Sequence, residues 1–169
     1  MNIVLIGYRG SGKSTLGKRL ASKLGMEFVD TDVLLVERAG KTIREIFAAE
    51  GEPGFRRRES AVIAEVAARD NHVIAAGGGA ILKPENVAAL KRNARVVWLK
   101  APPDVLFQRI QSDAATTATR PNLTAAGGLD EVTQILQART PLYQAAADVS
   151  FEVTCLTIDE AATRLAGVI

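Results

Sequence analysis

A three-layer α/β/α fold around a five-stranded parallel sheet is predicted by three observations. Short apolar strands alternate with helical segments along the whole chain. The first strand leads through a glycine loop directly into a helix. Acidic and glycine-rich turns follow two later strands, where parallel sheets place their ligands.

The elements follow in order. Ile3-Val4-Leu5-Ile6 is a continuous apolar run, as in a strand buried on both faces, and the strand is expected over 2–6. Gly7-Tyr8-Arg9-Gly10-Ser11-Gly12-Lys13-Ser14-Thr15 fits G-x-x-x-x-G-K-[S/T], the phosphate-binding P-loop. Leu16, Leu20 and Leu24 recur at helical spacing, which predicts a helix over 13–24. Further strands are expected at 27–29, 72–75, 95–99 and 149–151. Helices are expected at 32–48, 55–69, 84–92, 103–111, 129–146 and 158–166. With no internal repeat and no linker, residues 1–169 are expected to form one domain. The stretch 111–128 is rich in Ala and Thr and ends in Gly127-Gly128. It reads as a loop, and as a lid that carries Arg120 over the phosphates rather than a plain surface connection, because phosphoryl transfer needs water excluded and often an arginine on the moving phosphate.

Bulk properties limit the partners. At 47% hydrophobic residues and a mean hydropathy of +0.09, the 169 residues suit a compact soluble protein. No apolar run reaches the ~20 residues of a membrane span, and no leader peptide is expected. One cysteine, Cys155, rules out an internal disulfide and fits a reducing cytoplasm. A net charge of +2 and 5% aromatic residues argue against nucleic acid as the main partner. One Cys and one His, His72, leave no zinc set, and His72 and Trp98 are read as structural.

The loop chemistry follows from its residue types. Gly7, Gly10 and Gly12 allow the backbone to wrap phosphate oxygens. The amides from Gly10, Ser11 and Gly12 through Thr15 then point inward at a helix N-terminus. Lys13 brings a positive charge to the β- and γ-phosphates, and Ser14 a hydroxyl to Mg²⁺. Asp30-Thr31-Asp32 follows the second strand. One carboxylate can serve Mg²⁺ while the other holds and deprotonates an acceptor hydroxyl; Asp30 or Thr31 can also cap the next helix.

On the helix opened by Phe55-Arg56-Arg57-Arg58-Glu59, the stripe Phe55, Val62, Ile63 and Val66 leaves Arg57 to solvent. Arg56 and Arg58 flank the stripe, and Glu59 falls inside it with Arg56 as a natural partner at i−3. Helical geometry leaves open which arginine, Arg56 or Arg58, reaches an anionic acceptor. Gly77-Gly78-Gly79 is either a tight turn or a place where backbone amides approach a ligand. Arg139, before Pro141-Leu142-Tyr143, is either a surface charge or a second clamp on a carboxylate.

Together these motifs, in this order, resemble the shikimate kinase family over nearly the whole chain. The resemblance rests on the loop at 7–15, Asp30-Thr31-Asp32, Gly51-Glu52 with Phe55-Arg56 and Glu59, Gly77-Gly78-Gly79-Ala80, Arg120-Pro121, and Arg139 with Pro141-Leu142-Tyr143. It implies the nucleoside-monophosphate-kinase-like P-loop fold, and transfer of the ATP γ-phosphate to the 3-hydroxyl of shikimate with Mg²⁺ on the way to chorismate. It also implies Asp32 as base, and Ser14 and Asp30 at the metal. Arg56, Gly78 and Arg139 become shikimate contacts, Arg120 a lid arginine on the phosphates, and Arg109 an adenine contact. The protein is then expected to be a cytoplasmic monomer.

Two features depart from many members. Asn122 follows Arg120-Pro121, and Thr154-Cys155-Leu156-Thr157 lacks an Asn/Arg/Pro-rich adenine loop. The rival readings are a related kinase for gluconate or a nucleotide, and a non-catalytic nucleotide-binding module. The latter would be expected to have lost Lys13, Asp32 or Arg120, and all three are present.

Overall fold

The structure, a computed structural model, describes residues 1–113 and 127–169. Strands β1 (Asn2–Ile6), β2 (Glu27–Asp30), β3 (His72–Ala75), β4 (Ala94–Lys100) and β5 (Val149–Glu152) form one parallel sheet in the order β2-β3-β1-β4-β5. Val4 in the central β1 lies between Ile74 of β3 and Val96 of β4.

The pleat of β1 divides the core. Val4 and Ile6 join Ile74 and Trp98 on one face; Ile3 and Leu5 join Val73, Val97 and Leu99 on the other. All of β1 is buried, which is why its sequence is an unbroken apolar run rather than an alternating one. Helices α2 (Thr31–Ala39), α3 (Ile43–Ala67) and α4 (Pro84–Lys91) cover the first face through Leu35, Ile46, Ile63 and Leu90. Helices α1 (Lys13–Leu24), α5 (Pro103–Ser112) and α7 (Ile158–Ala166) cover the second through Leu16, Leu20, Leu106 and Leu165. Helix α6 (Gly128–Ala146) serves both, with Tyr143 in the first cluster and Val132 in the second. Each such fully buried side chain contributes about 1.5–3 kcal/mol relative to exposure.

The helix expected over 32–48 is two helices. Gly40 ends α2 in the left-handed conformation, φ 61°, and its N–H returns to the Val36 carbonyl. Thr42 then starts α3 with a capping box: its hydroxyl accepts from Glu45 N–H, and the Glu45 carboxylate accepts from Thr42 N–H. Helix α3 also runs on through the gap expected between 48 and 55, bent at Gly51, where φ is 64°. Pro53 falls just beyond the bend, where a helical start tolerates its missing N–H. The expected strands lie within the observed ones, whose ends extend to Asp30, Ala94, Lys100 and Glu152.

The expected lid, 111–128, lies mostly outside the described residues, and so does Arg120. At its edges, Ser112 still belongs to α5 and Gly128 opens α6. Among the described residues, no helix is long and apolar enough to cross a membrane. The chain leaves β1 toward β2 and β3 on one side and reaches β4 and β5 on the other. A crevice therefore opens beyond the carboxyl end of β1, at the point where the strand order reverses.

Candidate active site

The loop after β1 occupies that crevice. Gly7, Gly10 and Gly12 all have positive φ, at 145°, 83° and 87°. A Cβ on Gly7 would stand 2.7 Å from the Leu99 carbonyl oxygen, and one on Gly10 would stand 2.8 Å from that of Leu106. Both glycines are thus required by close backbone approach as well as by conformation. Gly12 caps α1 without a side-chain hydrogen bond, so the first amides of α1 face the crevice. Lys13 Nζ donates to the carbonyls of Gly7 at 2.8 Å and Tyr8 at 2.9 Å, spanning the loop it belongs to.

Asp30 does two things at once. Its Oδ1 caps α2, accepting from Asp32 N–H at 2.9 Å, while Oδ2 accepts from the Ser14 hydroxyl at 2.5 Å. Capping and cleft-facing therefore do not compete at Asp30, because its two oxygens point different ways. Thr31 turns inward instead, and its buried hydroxyl accepts from Gly77 N–H at 2.9 Å. This bond ties the end of β2 to the turn after β3 and leaves Asp32 in the cleft between them.

Two adjoining cavities meet there. The first is lined by the loop from Arg9 to Leu16 with Asp30 and Asp32, and continues to Arg109, Ile110, Val153 and Leu156. Arg109 is held by an Nη2 bond to the Val153 carbonyl at 3.3 Å. The second cavity joins Asp32 to Arg56, Glu59, Gly78, Gly79 and Arg139, over an apolar floor of Ile43, Phe47 and Phe55.

The tertiary structure separates Arg56 from Arg58. Arg56 Nη1 donates to Glu59 at 2.8 Å and Nη2 to Glu52 at 3.2 Å, with its side chain only 11% exposed at the cavity wall. Arg58 turns away and pairs with Glu50 at 2.8 Å, and Arg57 is exposed. The i−3 partnership expected for Glu59 is present. Burial pushes the Glu59 carboxyl above its usual value, with Arg56 pulling it back. Burial also opposes the charge on Arg56, but Glu59 and Glu52 outweigh it and its pKa rises. A buried pair of this kind adds little net stability; its effect is to hold the guanidinium in one place.

The three glycines have three different surroundings. A Cβ on Gly77 would come within 2.7 Å of Asp32 Oδ1, and one on Gly79 within 2.3 Å of Arg56 Nη1. Both therefore let a charged side chain lie flat against backbone. The Gly78 carbonyl accepts from Arg139 Nη1 at 3.1 Å and from the Tyr143 hydroxyl at 2.6 Å. Tyr143 is fully buried and stacked on Trp98 at 5.7 Å, and burial pushes its phenol up to about 12. It is thus a fixed hydrogen-bond donor at neutral pH.

From the sequence, Thr31 figures only as a candidate helix cap, Phe55 and Tyr143 only as stripe or motif residues, and Phe47 not at all, so none of the four is assigned a place in the site. For Phe47 the local signal is the break at Gly40 followed by Thr42-x-x-Glu45, which starts the helix that brings Ile43 and Phe47 to the cavity.

The arrangement can bind a polyphosphate in the first cavity and a small anion in the second, with a carboxylate between. Comparison with known proteins shows the family. The family model for shikimate kinase matches residues 9–169. A shikimate kinase of Rhodopirellula baltica is 46% identical over 97% of this chain and 88% of its own length. One of Symbiobacterium thermophilum is 50% identical over 88% of this chain and 84% of its own. A structure of shikimate kinase from Acinetobacter baumannii in complex with shikimate superimposes with a TM-score of 0.92 at 36% identity, covering 99% of this chain and 91% of that one.

Proposed function

The chain belongs to the shikimate kinase family, and on that premise we propose how its residues phosphorylate shikimate. The protein is a shikimate kinase that uses ATP as donor in aromatic biosynthesis. Asp32 carries the residue-level reading, because it lines both the phosphate-loop cavity and the cavity that holds Arg56 and Arg139.

The polyphosphate of ATP is bound by the loop amides from Gly10 to Thr15 and by Lys13. Arg109, which lines the same cavity, contacts the adenine in this reading. The shikimate carboxylate pairs with Arg56 and Arg139, whose planar forks suit it. The amides of the turn Gly77–Gly79 add hydrogen bonds, and Arg120 contributes charge to the phosphates. The ring lies over Phe47 and Phe55, and its 3-hydroxyl faces Asp32. Asp32 takes the hydroxyl proton as that oxygen attacks the γ-phosphorus in line. Ser14 Oγ and Asp30 Oδ2 are adjacent hard oxygens, a donor set that suits Mg²⁺ with most of its waters retained. There a bound Mg²⁺ would supply charge neutralisation to the phosphates. The reading takes the protein as a single-domain cytoplasmic monomer with no nucleic-acid or membrane partner.

The test is ADP formation by purified protein with ATP and a panel of acceptors: shikimate, gluconate and nucleoside monophosphates. Turnover with shikimate alone, giving the 3-phosphate by phosphorus NMR, is expected. Gluconate or a nucleotide as the better acceptor would overturn the assignment.

A further inference from the structure

Arg9 stands with Asp32 where the two cavities meet. These two are the only described residues that line both. The other cations of the cleft are engaged within the protein. Lys13 bonds the Gly7 and Tyr8 carbonyls, Arg56 is paired with Glu52 and Glu59, and Arg139 bonds the Gly78 carbonyl. Arg9 has no ion pair among the described residues, and its Nε is buried with no hydrogen-bond partner there. A buried guanidinium N–H without an acceptor is costly, and a guanidinium is specialised for anionic oxygens. The backbone of Arg9 lies beside the acceptor-side turn: a Cβ on Gly78 would be 3.6 Å from Arg9 N, ordinary contact distance. Arg9 is thus a positive group at the boundary that the phosphoryl group must cross.

We propose that Arg9 is a further catalytic residue, its guanidinium donating to the oxygens of the phosphoryl group in flight. This rests on the reading of the reaction given above. In that step the acceptor oxygen forms a bond to the γ-phosphorus while the bond from that phosphorus to the β–γ bridging oxygen breaks. The bridging oxygen leaves with the electron pair as ADP, and the acceptor proton passes to Asp32. Negative charge spreads over the three equatorial oxygens of the transferred group, between the two cavities. A cation on the shared wall favours that arrangement over either ground state.

The experiment compares wild type with Arg9→Met and Arg9→Lys. For Arg9→Met, kcat is expected to fall ~10- to 100-fold, with both KM values within ~3-fold. Arg9→Lys should recover part of the loss. A merely structural role would not move the second readout, the affinity for ADP with fluoroaluminate in the presence of shikimate. This complex mimics the transferring group. Arg9→Met should weaken it in proportion to kcat while leaving ADP affinity unchanged. If Arg9→Met fails to fold, Arg9→Gln replaces it.

A kcat within ~3-fold of wild type, or a fall in kcat that the analogue affinity does not follow, overturns the assignment of Arg9. Absence of shikimate-dependent ADP formation by the wild type would instead overturn the reaction itself, so the two failures are distinguishable.

Discussion

The first cavity takes Arg9 to Leu16 from one uninterrupted stretch, whereas the second draws Asp32, Arg56, Gly78 and Arg139 from four separate segments. The donor half is built mainly from backbone. Gly7 and Gly10 lie where the Leu99 and Leu106 carbonyls leave no room for a Cβ, and the amides need only the loop and one helix start. The acceptor half is built from side chains held by other side chains and by distant backbone N–H and carbonyl groups. Arg56 depends on Glu59, Thr31 on Gly77, and Arg139 and Tyr143 share Gly78. A common triphosphate can be recognised by a local, transferable motif. A particular small acid needs charges converging from several directions, which only a folded chain supplies.

This contrast predicts separable losses. Lys13→Met removes the charge at the β- and γ-phosphates, and kcat should fall ~10²- to 10³-fold whatever acceptor is supplied. Near-normal turnover would show that the loop does not carry the donor as described. Arg139→Ala should raise the KM for shikimate ~10- to 100-fold, the worth of one charged hydrogen-bonding group, with little change in the KM for ATP. Equal effects on the two substrates would erase the division between the halves.

The smallest expected effect is the most discriminating. Tyr143→Phe keeps the ring stacked on Trp98 and removes only the bond to the Gly78 carbonyl. Arg139 still donates to that carbonyl, so the turn is loosened rather than released. The KM for shikimate should rise about 3- to 5-fold, consistent with one hydrogen bond of ~1 kcal/mol, while the KM for ATP stays constant. A lowered melting temperature with unchanged KM values would make Tyr143 a packing residue only.

Much of the donor half was legible because its determinants are local. The apolar run of β1, the glycine spacing and the leucine periodicity of α1 each specify their own geometry within a few residues. The interruption between α2 and α3 and the bend within α3 are also written locally, in Gly40, in Thr42 with Glu45, and in Gly51 with Pro53; the expected 32–48 helix crosses the first, while the expected gap between 48 and 55 falls at the second. Across the cleft, residue types and their order suggested an anion site. Periodicity placed Arg57 in solvent and Glu59 beside Arg56, but it treated Arg56 and Arg58 alike.

By itself, then, the sequence determined the parallel α/β architecture, the phosphate loop and the cast of charged residues available to an acceptor, because periodicity, caps and glycine conformation act over a few positions. Tertiary structure alone decided that Arg58 turns to Glu50 while Arg56 faces the cavity, that Asp30 caps with one oxygen and meets Ser14 with the other, and that Arg9 and Asp32 share one wall. Those outcomes depend on groups brought together from far along the chain, such as Gly78 and Tyr143, 65 residues apart. No local pattern encodes them, because their energies arise only once the sheet has set the elements side by side.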